Sequence, residues 1–171
     1  MGFYSITGII NAVTSLILGF FVFSQDRKKP LNRLFGVFTL SAVVWSISYF
    51  FWQIAEDYNT ALLWSRMLIM GAVLIPVSYF NFISVFLGRE EKDKNLIKIG
   101  HWLAIAFMLT IFTPYFVPSV GPKASFAFWG NPGPAFPLFL LMFFGYAVYS
   151  WVLLYKAMYS EELKKDPIRR E

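Results

Sequence analysis

Between residues 63 and 88 the chain reads LWSRMLIMGAVLIPVSYFNFISVFLG, apolar almost throughout but carrying Arg66, Pro76 and Asn81. A helix in hydrocarbon has no need of these three. The Arg66 guanidinium is a permanent cation with five N–H donors in a planar fork, suited to two-pronged contact with a carboxylate or phosphate. Asn81 brings an amide donor and acceptor. Pro76 removes one backbone donor and leaves a carbonyl of the preceding turn without its helical partner, the ordinary cause of a kink. At helical spacing Arg66, Met70, Val73, Val77, Asn81 and Ser84 share a face. On the preceding apolar run Ser41, Trp45, Ser48 and Trp52 recur at helical spacing beside Tyr49. Their polar atoms must face protein, since an unpaired donor in hydrocarbon is costly.

Arg66 admits two readings. A helix starting near Asn59 puts it ~9–10 Å below that end, where an unpaired charge costs on the order of 1–3 kcal/mol. Either it snorkels to the interface as an anchor, or it faces the bundle and pairs with Glu56, Asp57, a tyrosine or a ligand anion. In the second case Trp45, Tyr49, Trp52 and Arg66 wall a polar cavity, and the candidate ligand-binding set is Arg66, Trp45, Tyr49, Trp52 and Asn81, with Pro76 as the kink. Asn59 or Thr60 can N-cap this helix.

The elements that must position these residues follow from composition. Of 171 residues 57% are hydrophobic and 15% charged, against roughly 25% charged in a soluble domain. Continuous apolar runs at about 4–23, 34–55, 61–87, 99–116 and 136–158 are each long enough, or nearly so, to cross ~30 Å of hydrocarbon at ~1.5 Å per residue. The expected fold is an all-α polytopic bundle of five membrane-spanning helices forming a single integral membrane domain. Every Lys and Arg except Arg66 and Lys123 falls at 27–33, 89–98 or 156–170. The positive-inside rule therefore puts those segments in the cytoplasm and the N-terminus outside, as a multi-pass protein of the cytoplasmic membrane. On helix one Gly8, Ala12, Ser15 and Gly19 make a small-residue face for close packing, and Asn11 beside it is expected to bond a neighbouring helix. Residues 89–98 read as a solvated hairpin, and Pro114 as the end of helix four. Segment 117–137 holds five prolines and three glycines, which forbid a regular helix. It reads as an interfacial loop or as a lid. The charged tail 158–171 can continue the last helix as far as Asp166, before Pro167.

Several chemistries are excluded or disfavoured. There is no cysteine, hence no disulfide and no thiolate chemistry. His101 stands alone and defines neither a metal nor a haem site. Phosphate-binding, dinucleotide-binding, zinc-protease and nucleophile-elbow motifs are missing. No Asp or Glu falls inside the spans as bounded above, which disfavours a proton or cation pump. The chain is not expected to be an enzyme, to hold a cofactor or metal, or to bind nucleic acid. Its expected partners are the lipid bilayer, partner membrane helices or a second copy of the chain, and a cytoplasmic signalling protein.

The run LNRLFGVFTLSAVVWSISYFFW, followed by ALLWSRMLIMGAVLIPVSYFNFISVFLG, resembles the seven-helix N-terminal membrane region of bacterial and archaeal histidine kinases. A similar region also precedes diguanylate cyclase domains. The resemblance rests on Leu63-Trp64-Ser65-Arg66, Gly71, Ile75-Pro76 and the aromatic run ending in Leu87-Gly88. The segment GPAFPLFLLMFFGYAVYSWVLLYK resembles the fifth helix. The likeness implies a sensor or input region, represented by five helices and without its output domain. It would detect a small or lipophilic ligand, or the state of the membrane, and carries over no particular ligand. A non-catalytic subunit or scaffold of a membrane complex is the second reading, and a small transporter the third.

Overall fold

A computed structural model describes residues 3–159. Five helices and one β-hairpin follow in the order α1 Phe3–Gln25, α2 Pro30–Gln53, α3 Tyr58–Phe86, α4 Glu90–Thr110, β1 Val120–Lys123, β2 Phe126–Gly130, α5 Phe136–Tyr159. Short turns join α1 to α2, α2 to α3 and α3 to α4, so these run antiparallel, and the hairpin segment returns the chain from the end of α4 to the start of α5. One end of the bundle therefore holds the start of α1, the α2–α3 turn, the hairpin and the start of α5. The other holds the α1–α2 turn and the α3–α4 corner.

Helix α3 is the hub, packing on α2, α4, α5 and both strands, whereas α1 packs on α2. Over half of its apolar stretch is buried, a larger share than in any other apolar helix. Small residues set the close approaches. A side chain on Gly71 would lie 2.5 Å from the Trp45 backbone nitrogen, so α2 and α3 meet backbone to backbone there. Thr39 occupies the space that a side chain on Gly19 would need, Gly8 faces Ser46 and Tyr49, and Ala12 is buried between them. The small-residue face of α1 thus packs on α2, and Asn11 Nδ2 donates to Ser46 Oγ at 2.6 Å, as its sequence position led us to expect. Ser41 and Ser48 are buried and donate to the Val37 and Val44 carbonyls of their own helix. On the other side of α3, Phe80 packs against Tyr146 and Tyr149 of α5. Tyr146 Oη reaches over Gly100 to donate to the Leu96 carbonyl of α4 at 2.7 Å.

The ends of the elements follow local chemistry. Pro30 opens α2 at a position whose N–H has no helical partner anyway. Asp57, rather than Asn59 or Thr60, caps α3, its Oδ1 accepting from the Asn59 and Thr60 amides at 2.9 and 3.0 Å. At the far end of α3, Gly88 adopts a left-handed φ of 63°. Its amide bonds to the Val85 carbonyl and the Arg89 amide to the Ser84 carbonyl. This pair of bonds closes the helix and turns the chain sharply into α4.

Two expectations are corrected. Helix four begins at Glu90 and ends at Thr110, not 99–116. Residues 90–98 are its leading turns rather than a solvated hairpin. Glu90, Glu91 and Asp93 favour the partial positive charge of a helix N-terminus, an effect that hydropathy does not register. The helix also stops before Pro114, since proline disfavours helical geometry at Thr113. Secondly, 117–137 contains a two-stranded antiparallel hairpin pairing Val120 with Gly130 and Gly121 with Trp129, irregular at Pro122, which has no N–H to give. Of the five helices, four (α1, α2, α3 and α5) are long and apolar enough to cross a membrane, the charged first turns of α4 setting it apart. The tail residues Lys164, Lys165, Asp166, Pro167, Arg169 and Arg170 lie outside the described residues.

Candidate functional site

Four of the residues singled out by sequence, Trp45, Tyr49, Trp52 and Arg66, gather on the side of the bundle that carries the hairpin. On α2, Trp45 stacks on Tyr49 with ring centres 5.5 Å apart, and Tyr49 meets Trp52 at 5.7 Å. Trp52 stacks on Phe126 and meets Trp129 edge-on, each at 5.6 Å. Its Nε1 donates to the Phe128 carbonyl at 2.6 Å. The aromatic row therefore runs along α2 and continues into β2. Tyr4 of α1 closes on Phe126 from the other side.

Arg66 reaches the same hairpin from α3. Its Nε and Nη2 both donate to the Val117 carbonyl, at 3.2 and 3.0 Å. Val117 is buried and lies at the root of the hairpin, three residues before β1. Arg66 thus pairs inside the protein, though with neither Glu56 nor Asp57. No carboxylate pairs with it among the described residues. Asp57 is occupied by the α3 cap, and the amides it accepts from, with the Thr60 hydroxyl first among the causes, hold its carboxyl below the usual value.

Asn81 does not join this group. It sits 15 residues further along the same continuous helix, ~22 Å away at the helical rise. Pro76 is buried inside a helix that runs unbroken from Tyr58 to Phe86. Ser78 Oγ donates to the Leu74 and Ile75 carbonyls. It does not serve the Ala72 carbonyl, which Pro76 leaves without its helical donor.

Two side chains and two main-chain oxygens escape the sequence. Ser65 is buried, its Oγ has no hydrogen-bond partner, and it faces Gly130 and Val117 across the α3–β2 contact. Gln53 Nε2, at the end of α2, is likewise buried and unpartnered. The main-chain oxygens of Val117 and Phe128 supply the acceptors, and no side-chain pattern marks them. The only available signal was the density of proline and glycine around them.

A second polar cluster lies at the opposite end of α3. Asp93 is 2% exposed. It accepts from Ser84 Oγ at 2.8 Å and from Arg89 Nε and Nη2 at 3.1 Å each. The hydrogen bond to Asp93 raises the Arg89 pKa further above its ordinary value. In sequence this buried acid looks solvated, because it stands among Glu91, Lys92 and Lys94.

The architecture defines a class: a multi-pass helical membrane protein with a β-hairpin closing one end and an ion-paired corner at the other. Within it, the chain matches the family described as the N-terminal 7TM region of histidine kinase over residues 8–169, and it belongs to that family. No curated protein and no solved structure matches it.

Proposed function

We propose that this chain is the membrane-embedded input region of a signal-transduction system, carrying no reaction of its own. It sits in the cytoplasmic membrane with the hairpin end outside and the α3–α4 corner in the cytoplasm. A small or lipophilic ligand, or a change of membrane state, acts where Trp45, Tyr49, Trp52 and Arg66 meet the hairpin. The resulting shift passes along α3 to a cytoplasmic signalling partner. One observation carries the reading. The same helix holds the hairpin root through Arg66 and, through Ser84, holds the ion pair that fixes the corner. A displacement at one end of such an element moves the other, since packed helices shift by ~1–2 Å between discrete arrangements.

The chain lacks cysteine, so spin labels at Ser24→Cys and Lys92→Cys report the corner end without background. Their distance distribution should differ by ~1–2 Å between native lipid extract and plain phosphatidylcholine. Identical distributions would count against an input role.

A second reading is favoured by the outward face of α5. Pro137, Leu140, Leu141, Phe144, Gly145 and Val148 line an apolar groove there, and it suits a partner helix in a membrane complex. Crosslinking through Val148→Cys that captures a membrane protein from the native host would favour that subunit role.

A further inference from the structure

We propose that Arg66 and Ser65 form an oxyanion site, taken up by a carboxylate or phosphate group that displaces the Val117 carbonyl and so releases the root of the hairpin from α3. The inference rests on the input reading above and names the chemistry of what that site detects.

Four observations carry it. First, Arg66 presents its Nε–Nη2 edge, the edge that grips an oxyanion with two parallel bonds, and a single neutral carbonyl oxygen occupies it. That oxygen carries only a partial charge. A carboxylate or phosphate brings full negative charge and a separate oxygen for each of the two donors, where the carbonyl shares one oxygen between them. Secondly, no carboxylate of the described residues neutralises Arg66. Thirdly, the adjacent Ser65 hydroxyl is over nine-tenths buried with no partner. Native proteins leave few such groups, and an incoming acceptor would satisfy this one. Fourthly, Gly130 lies over Ser65 with no side chain of its own. A methyl built there would sit 3.6 Å from Ser65 Oγ and 3.5 Å from Val117 Cγ1. A methyl at position 130 would therefore add bulk directly over the Ser65 hydroxyl without clashing.

The remaining consequence is mechanical. The polar fastenings of the hairpin are the bonds from Arg66 on α3 to the Val117 oxygen and from Trp52 on α2 to the Phe128 oxygen, beside the burial of Val117 and Val120 in the core. An anion on Arg66 removes the first and leaves the second and the apolar packing, so the hairpin root loosens against α3 and exposes Val117 more often. Ligand occupancy and hairpin position become one equilibrium.

The test uses the full chain with Val117→Cys, which keeps the main-chain carbonyl and places a thiol in a position that is now buried. The protein is reconstituted in phosphatidylcholine nanodiscs, and the rate of thiol modification is followed while inorganic phosphate is titrated. A parallel sample replaces part of the phosphatidylcholine with phosphatidylglycerol, in the absence of added phosphate. Saturable acceleration by inorganic phosphate assigns the site to a free anion. Acceleration by phosphatidylglycerol alone, with no further effect of phosphate, assigns it to a lipid headgroup. In either case Arg66→Leu should abolish the response and Arg66→Lys should weaken it about 10- to 100-fold, the range for losing one hydrogen bond to a charged group. Gly130→Ala, whose methyl meets only ordinary contacts, should also abolish it while the fold is kept. It therefore serves if Arg66→Leu fails to fold. Rates unmoved by both phosphate and phosphatidylglycerol, or a response that survives Arg66→Leu or Gly130→Ala, overturn the proposal. The Ser24/Lys92 spin-label pair keeps the two readings apart. If the thiol at 117 responds and that pair does not, the oxyanion site stands and transmission falls. If the pair responds to native lipid while phosphate and phosphatidylglycerol leave the thiol silent, the oxyanion site falls and the input role stands.

Discussion

Arg66 holds its position in the apolar stretch because a buried backbone oxygen accepts from it twice. Replacement by leucine leaves the Val117 carbonyl unpaired, which costs about 1–3 kcal/mol for a buried acceptor. Lysine supplies one point donor in place of a fork, so it should recover only part of that loss. Thermal unfolding in mild detergent should rank wild type above Arg66→Lys and both above Arg66→Leu. A leucine variant as stable as wild type would mean that the bond contributes nothing. Asp57 allows a sharper test because it titrates. Its folded pKa is depressed by the hydrogen bonds it accepts at the start of α3. Its contribution is therefore fully present above the unfolded carboxylate value, ~3.9, and is lost as pH falls through the lower folded value. Asp57→Asn keeps a capping side chain but cannot titrate. Stability of the wild type should fall more steeply than that of Asp57→Asn once the pH drops below ~4. Parallel curves would exclude Asp57 as the group responsible.

At the scale of elements, two glycines on apolar helices have opposite surroundings. Gly71 meets the Trp45 backbone, and its added methyl would lie 2.5–2.8 Å from Trp45 atoms that cannot rotate aside. Gly145 has nothing within 4 Å. Gly71→Ala should therefore force α2 and α3 apart and cost about 1–3 kcal/mol, the usual penalty of overpacking. Gly145→Ala should be neutral or stabilise by about 0.5–1 kcal/mol through helix propensity. Unfolding midpoints of the two variants that failed to diverge would refute the close α2–α3 contact. The sequence made such elements legible where one local rule governed them. Apolar runs of membrane length located α1, α2, α3 and α5, and the Gly8–Ala12–Gly19 spacing marked the face of α1 that meets α2. Legibility ended where a contact across a turn or between distant elements decided the outcome. Asp93 looks solvated among its charged neighbours, and only the turn at Gly88 brings Ser84 onto it, beside the Arg89 pair. The hairpin was hidden for a related reason. Its strands are four and five residues long, contain Pro122, and take their stability from Trp52 and Arg66 on distant helices. In the candidate site, the aromatic row was readable from helical spacing, whereas the acceptors were not, because a main-chain carbonyl has no signature in the sequence.

At the scale of the whole molecule, charge decides how the bundle lies in the bilayer. Described basic residues crowd the end opposite the hairpin: Arg27, Lys28, Lys29 and Arg33 near the α1–α2 turn, and Arg89, Lys92, Lys94 and Lys98 on the corner and the first turns of α4. The hairpin end carries Arg66, tied to Val117, and Lys123, which lies 5.6 Å from the Trp129 ring centre. Lys and Arg near the ends of spans are retained on the cytoplasmic side, so the hairpin should face outward. The ring of Phe126, Phe128 and Trp129 then lies at interfacial depth, where aromatic side chains concentrate. Two single-cysteine variants check this in intact cells without background labelling. Ser125→Cys lies in the exposed turn between β1 and β2, and Ser24→Cys is exposed near the end of α1. A membrane-impermeant thiol reagent should label Ser125→Cys readily and reach Ser24→Cys only after the membrane is permeabilised. The reverse pattern would place the hairpin in the cytoplasm. Arg66 would then face the soluble anions of the cell interior, and the outward placement of its site would fall.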